Sequence, residues 1–113
     1  MLTPGAFAKR AEFYHQLSQY TAAGIGVVQA LETQAKSRAY SAYSAALSRM
    51  IAVLHGGGLL SSAFRSAKGF APPFDEALVE AAENSGRLPQ CFALLSEHYA
   101  ERAQMLRETL ANL

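Results

Sequence analysis

His55-Gly56-Gly57-Gly58 is a run that could do chemistry, because consecutive glycines let backbone N–H groups converge on a developing negative charge, as in an esterase oxyanion hole. That chemistry also needs a preceding strand and a Gly-x-Ser-x-Gly nucleophile turn, and the sequence has neither. The plain reading is a helix C-terminus with glycines free to take positive φ. The same glycines precede Leu59-Leu60-Ser61-Ser62, which poses the question of a phosphate cradle at the start of a helix. No Lys follows in the loop, so a nucleotide-binding P-loop is excluded. With no Walker lysine and with Asp75 as the only Asp, neither ATP binding nor hydrolysis is expected.

Glu12 and His15 have the Glu-x-x-His spacing of a di-iron bundle helix, but neither His55 nor His98 has Glu three positions earlier, and one copy makes no site. Cys91 and His98 lie seven residues apart, about 10 Å along a helix axis and beyond hydrogen-bond reach. Cys91 therefore reads as a small core or interface residue. Ala22, Gly26 and Val27 fit the spacing of a helix-turn-helix whose readers would be Gln29, Glu32, Thr33 and Gln34. Only Lys36 and Arg38 would face phosphate there, which leaves DNA binding as the alternative to an interaction domain.

The elements that must position these residues are helices. The chain has 113 residues, half of them apolar and 17% charged, which suits one packed core and excludes a charge-rich disordered segment. A lone Cys excludes a disulfide scaffold, and a net charge of +1 gives no strong pull towards nucleic acid or anionic lipid. No apolar run reaches the 18 or so residues that cross a bilayer, and Lys9, Arg10 and Glu12 replace a signal-peptide core, so a soluble, untargeted domain is expected.

Gly and Pro fall between segments of helical period. Thr3 and Pro4 fit the cap and first position of a helix carrying Phe13, Leu17 and Tyr20, closed by Gly24 and Gly26. A second helix, Val27–Lys36, turns Val27, Val28, Leu31 and Ala35 inward, and Ser37 caps a third over Ala39–His55 with Tyr40, Tyr43, Leu47, Met50, Ile51 and Leu54 on one side. A short fourth helix spans Leu59–Ala67, with Gly69 beyond it. Pro72 and Pro73 start a fifth, with Asp75 and Glu76 in its first turn, running to about Asn84. Gly86 closes it, and Pro89 opens a long last helix with Leu88, Phe92, Leu95, Tyr99, Ala103, Leu106 and Leu110 on one stripe. The expectation is an all-α fold, an antiparallel bundle of about six helices.

Several segments in order resemble the type II secretion system F domain family. These are Phe13-Tyr14-His15-Gln16-Leu17 with Ala23-Gly24-Ile25-Gly26-Val27 and Gln29-Ala30-Leu31-Glu32, then the glycine-led stretch Gly57 to Phe64, then Phe70 with Pro72. Ala82-Glu83-Asn84-Ser85-Gly86-Arg87-Leu88 resembles the family's G-E-x-S-G-x-L signature, with Ala82 in place of its first glycine. The likeness runs from about Ala11 to Glu101. It implies a non-enzymatic scaffold, part of an inner-membrane platform protein of a type II secretion or type IV pilus machine, and no cofactor is expected. The partners it implies are the assembly ATPase, inner-membrane subunits and related copies. It further implies that residues 1–113 are a single domain on the cytoplasmic face of the bacterial inner membrane, within a longer protein whose apolar membrane helix of about 20 residues follows Leu113.

Within the signature, Glu83 near a helix C-terminus opposes the macrodipole and needs a partner, for which Arg87, Arg102 or a backbone N–H of the next helix would serve. Ser85 and Gly86 make the turn and Leu88 seals it, with docking or metal binding at Glu83 as the alternative to a purely structural turn. The apolar stripes exceed what one small core requires, so self-association, as a homodimer, is expected through Tyr99, Met105 and Leu106, with Phe7 and Tyr14 of the first helix second in line.

Overall fold

The computed structural model describes residues 2–113, and among them there are helices and turns but no strand. The helices are α1 (Pro4–Ala22), α2 (Val27–Ala35), α3 (Ser44–His55), α4 (Leu60–Ser66), α5 (Pro73–Ser85) and α6 (Leu88–Ala111), with a 3₁₀ segment over Arg38–Tyr43 leading into α3. Local chemistry sets most boundaries. Thr3 Oγ1 accepts from the Ala6 N–H at 3.0 Å and Pro4 holds the first helical position of α1. Gly86, at φ +71, takes the left-handed conformation that ends α5, and the Arg87 N–H turns back to the Ala82 carbonyl at 2.8 Å.

The frame is the pair formed by the first and last helices. Phe7 stacks on Tyr99, Ser96 Oγ donates to the Ala11 carbonyl at 2.8 Å, and Tyr14 stacks on Phe92. Position rises along α1 as it falls along α6, so the two are antiparallel, as the expected bundle requires. Ala8, Ala11, Ser96, Ala100 and Ala103 line one side of this seam, and such small side chains let the axes come close. Around it, α2 packs on α1 and α3, α3 on α4, and α4 on α5.

The third helix differs from its expected form. Instead of one α-helix over 39–55, the chain takes a 3₁₀ turn with a break at Tyr40 (φ −112°, ψ 24°) before α3 begins. Three residues per turn eclipse positions i and i+3. The rings of Tyr40 and Tyr43 accordingly stack at 5.7 Å, and both meet Phe13 edge-on at 5.4 and 5.3 Å. Ser37 caps the segment as expected, accepting from the Ala39 N–H at 3.3 Å. On α2 the inner face is also rotated from its expected position. Ala30, Leu31 and Gln34 are buried while Val27 and Ala35 pack at the margin, because Gln34 Nε2 donates to the Phe13 carbonyl at 3.2 Å.

Arg10 joins the two halves of the core. Its guanidinium donates to the Phe70 carbonyl at 2.7 Å and to the Tyr43 hydroxyl at 3.3 Å, and lies 4.2 Å over the Phe70 ring. Asp75 does the same for α5. Fully buried, its carboxylate accepts from Tyr14 at 2.7 Å and from Tyr99 at 2.9 Å on each oxygen. Burial, and then the nearby Asp75 charge, pushes both phenols up from their usual pKa, and burial pushes the Tyr40 hydroxyl up to about 12.

Asp75→Ala removes the acceptor of two buried hydroxyls and is expected to cost about 2–4 kcal/mol in urea unfolding. Glu76→Ala, one residue along, should cost under about 0.5 kcal/mol because its contact with Arg65 is long, at 3.8 Å, and Arg65 is about half exposed. Equal losses would show that the buried carboxylate holds nothing. A pH series tests the phenols. The folded state keeps protons that the unfolded tyrosines lose near pH 10, so stability should fall as pH rises beyond about 10, with a shallower fall in Tyr14→Phe.

Candidate functional site

The signature turn closes on α4. Helix α4 starts at Leu60, and its N-cap residue, Leu59, which follows Gly56-Gly57-Gly58, has no side-chain acceptor to offer, so the first N–H groups need an outside one. Glu83, in the last turn of α5, supplies it. One carboxylate oxygen accepts from the Leu60 N–H at 2.8 Å, and the other accepts from the Ser61 N–H at 3.0 Å and from the Ser61 hydroxyl. Charge at its own helix C-terminus is unfavourable, and charge at the N-terminus of α4 offsets this.

This corrects the partner expected for Glu83. The donor role falls to neither Arg87 nor Arg102, and the N–H groups belong to the helix before α5, not the one after. The anion cradle suspected behind the glycines is real in form, and the chain's own carboxylate fills it. Ser85 Oγ turns back to the Ala81 carbonyl at 3.0 Å, Gly86 makes the left-handed turn, and Leu88 packs half-buried against the core. Glu83 thus ties α5 to α4, while Ser85 and Gly86 close the end of α5 itself.

The oxyanion-hole reading of the glycines fails on their own donors. The N–H groups of Gly56, Gly57 and Gly58 bond the Ala52, Leu54 and Val53 carbonyls at 3.1, 3.0 and 3.0 Å, which closes the end of α3. Gly58 has a packing reason as well, since a Cβ there would lie 2.6 Å from Val53 Cγ1.

The helix-turn-helix reading loses readers. Gln34 is buried on Phe13, and Glu32 faces His55 Nε2 at 3.4 Å. Cys91 is buried, and burial followed by the Asp75 charge pushes its thiol up to about 11, which keeps it protonated and inert. Glu12 lies on the surface, accepting from Gln16, and His15 is exposed.

Of the residues expected to carry self-association, Tyr99 is a core residue. It is 6% exposed, hydrogen-bonded to Asp75 and stacked between Tyr14 and Phe7. α6 pairs along its length with α1, not with the short helices, and this covers Tyr99; Phe7 and Tyr14 are buried for the same reason. Met105, 65% exposed, and half-buried Leu106 remain at the surface. They line a groove of about 550 Å³ with Leu2, Phe7, His98, Glu101, Arg102 and Thr109, where the start of α1 meets the last turns of α6.

The Tyr14–Asp75–Tyr99 cluster was missed at the sequence level. Its signal lay in the spacing Asp75, Val79, Ala82, which puts the acid on the buried stripe of α5.

By architecture this is an all-helical bundle whose long terminal helices are paired and whose two best-placed carboxylates hold helices together. The chain matches the family described as Type II secretion system (T2SS), protein F, over residues 13–113, and it belongs to that family. No curated protein and no solved structure matches it. Among the described residues no helix is long and apolar enough to cross a membrane.

Replacing Glu83 by Ala strips acceptors from two N–H groups and the Ser61 hydroxyl, and is expected to cost about 2–3 kcal/mol. Hydrogen exchange at the Leu60 and Ser61 amides should accelerate before that of α6. Unchanged exchange at those two amides would show that α4 does not depend on Glu83.

Proposed function

We propose that this chain is a non-enzymatic scaffold, a cytoplasmic domain of the inner-membrane platform of a type II secretion or type IV pilus machine. It docks copies of itself, the assembly ATPase and neighbouring inner-membrane subunits, and belongs to a longer membrane protein. Family membership over residues 13–113 supports the setting. The observation that carries the scaffold role is the fate of the polar side chains. Asp75, Glu83 and Gln34 are each engaged in bonds between elements, while Met105 and Leu106 border an open, mostly apolar groove that Glu101 and Arg102 also line. Groups committed to holding helices cannot turn over a substrate, whereas exposed apolar groups beside a groove favour binding.

Light scattering tests the self-association part. At around 100 μM, above the micromolar dissociation constants of modest interfaces, the mass should exceed that of one chain. Met105→Ala should lower the associated fraction by about threefold or more without shifting the thermal midpoint, because the side chain lies on the surface. A strictly monomeric mass would sink this part of the reading.

A further inference from the structure

Helices α4 and α5 are bonded to each other along their length. Glu83, near the end of α5, accepts from the Leu60 and Ser61 N–H groups at the start of α4, and Arg65, near the end of α4, pairs with Glu76 and Glu80 of α5. The partners run in opposite order along the two helices, so α4 and α5 form an antiparallel hairpin. Its base lies where α4 starts and α5 ends. Its tip is the turn over residues 67–72 together with the first turn of α5.

The bonds from this hairpin to the other helices are all at one end. Among the described residues, the side-chain hydrogen bonds that join residues 59–86 to the rest of the chain are those of Arg10 to the Phe70 carbonyl and of Tyr14 and Tyr99 to Asp75, and each is made at the tip. Elsewhere the hairpin meets the bundle through buried apolar side chains such as Phe64 and Val79. At the base the chain enters after Gly58 and leaves through Gly86, which is at φ +71. The tip bonds also differ from apolar contacts in kind, since they involve the buried Asp75 carboxylate and the half-buried Arg10 guanidinium. Releasing them returns both charges to water, and hydration offsets much of what the bonds contribute.

We propose that α4 and α5 open together as one hinged lid, swinging about Gly58 and Gly86 when the tip releases Arg10, Tyr14 and Tyr99. The bonds of Glu83 and the pairs of Arg65 travel with the hairpin and stay made. α1 and α6 remain together through Phe7 on Tyr99, Ser96 on Ala11 and Tyr14 on Phe92. Opening bares the Tyr14 and Tyr99 hydroxyls and the rings of Phe13 and Tyr43, both of which Phe70 meets edge-on in the closed form. The lid is about 20 Å long, the length of the 13 residues of α5 at 1.5 Å each. A few positions at the ends of elements absorb its motion, as in other hinge closures. This inference does not depend on the docking partners proposed above.

Native-state hydrogen exchange on this chain, read by NMR, tests it. The amides of Phe64 and Val79, one from each helix of the hairpin, should exchange through one shared opening. That opening should be about tenfold or more populated than the one that frees Tyr14 and Leu95, and less dependent on denaturant. Tyr14→Phe removes a tip bond to a carboxylate and should raise the shared opening constant by about tenfold or more. Glu83→Gln weakens the base equally in the closed and open forms, so Val79 exchange should stay within about twofold of the unsubstituted chain. Exchange of Phe64 and Val79 only in step with Tyr14 and Leu95 overturns the lid, as does an equal acceleration of Val79 by both variants. Exchange of Phe64 and Val79 through two different openings overturns the joint movement of α4 and α5.

Discussion

A buried carboxylate that forms no ion pair among the described residues sets the arrangement of this bundle. Asp75 is held by the phenols of Tyr14 and Tyr99, one from each helix of the central pair, so its acceptors require α1, α5 and α6 to meet at one point. Burying a charge without such donors is prohibitive, and two hydroxyls aimed from different helices meet that demand in one geometry. The stacked rings of Tyr14, Tyr99 and Phe92 then follow as the apolar lining of the polar bond.

Helix α5 is anchored by an acid at each end, and the two acids act in opposite senses. Asp75 sits where its own helix favours negative charge and bonds away from it, to neighbouring side chains. Glu83 sits where its own helix disfavours charge and bonds to the N-terminus of α4. α5 is thereby joined to the central pair through its first turn and to the outer helices through its last. Arg10 adds a third link, from α1 to the turn before α5, with a carbonyl and two aromatic faces in place of a carboxylate.

The helices were legible in the sequence because Gly and Pro stand between apolar stripes of one period, and Thr3, Ser37 and Gly86 act where their residue types said they should. What periodicity hides is which helix a stripe meets. Tyr99 reads as surplus apolar surface until α1 is laid along it, and Gln34 reads as a base reader until it reaches Phe13. The 3₁₀ turn was concealed for a related reason, since tyrosines three apart suit either helix and only Phe13, distant in sequence, selects the tighter one. The residues of the signature were found from resemblance and chemistry, but the direction of its charge was not, because the N–H groups Glu83 serves lie 22 and 23 residues earlier.

The pairing of the first and last helices also bears on the order of folding. All-α domains usually fold fast because their contacts are local. Here the most extensive helix–helix contact joins residues up to about 90 positions apart, so nearly the whole chain must be looped before it forms. Turns among α2 to α5 can close on their own, but the phenols that receive Asp75 come together only when the termini meet. The transition state for folding therefore carries the entropy of closing the largest loop the chain possesses, and the bundle should assemble at a rate nearer to that of mixed α/β domains than of simple helical hairpins.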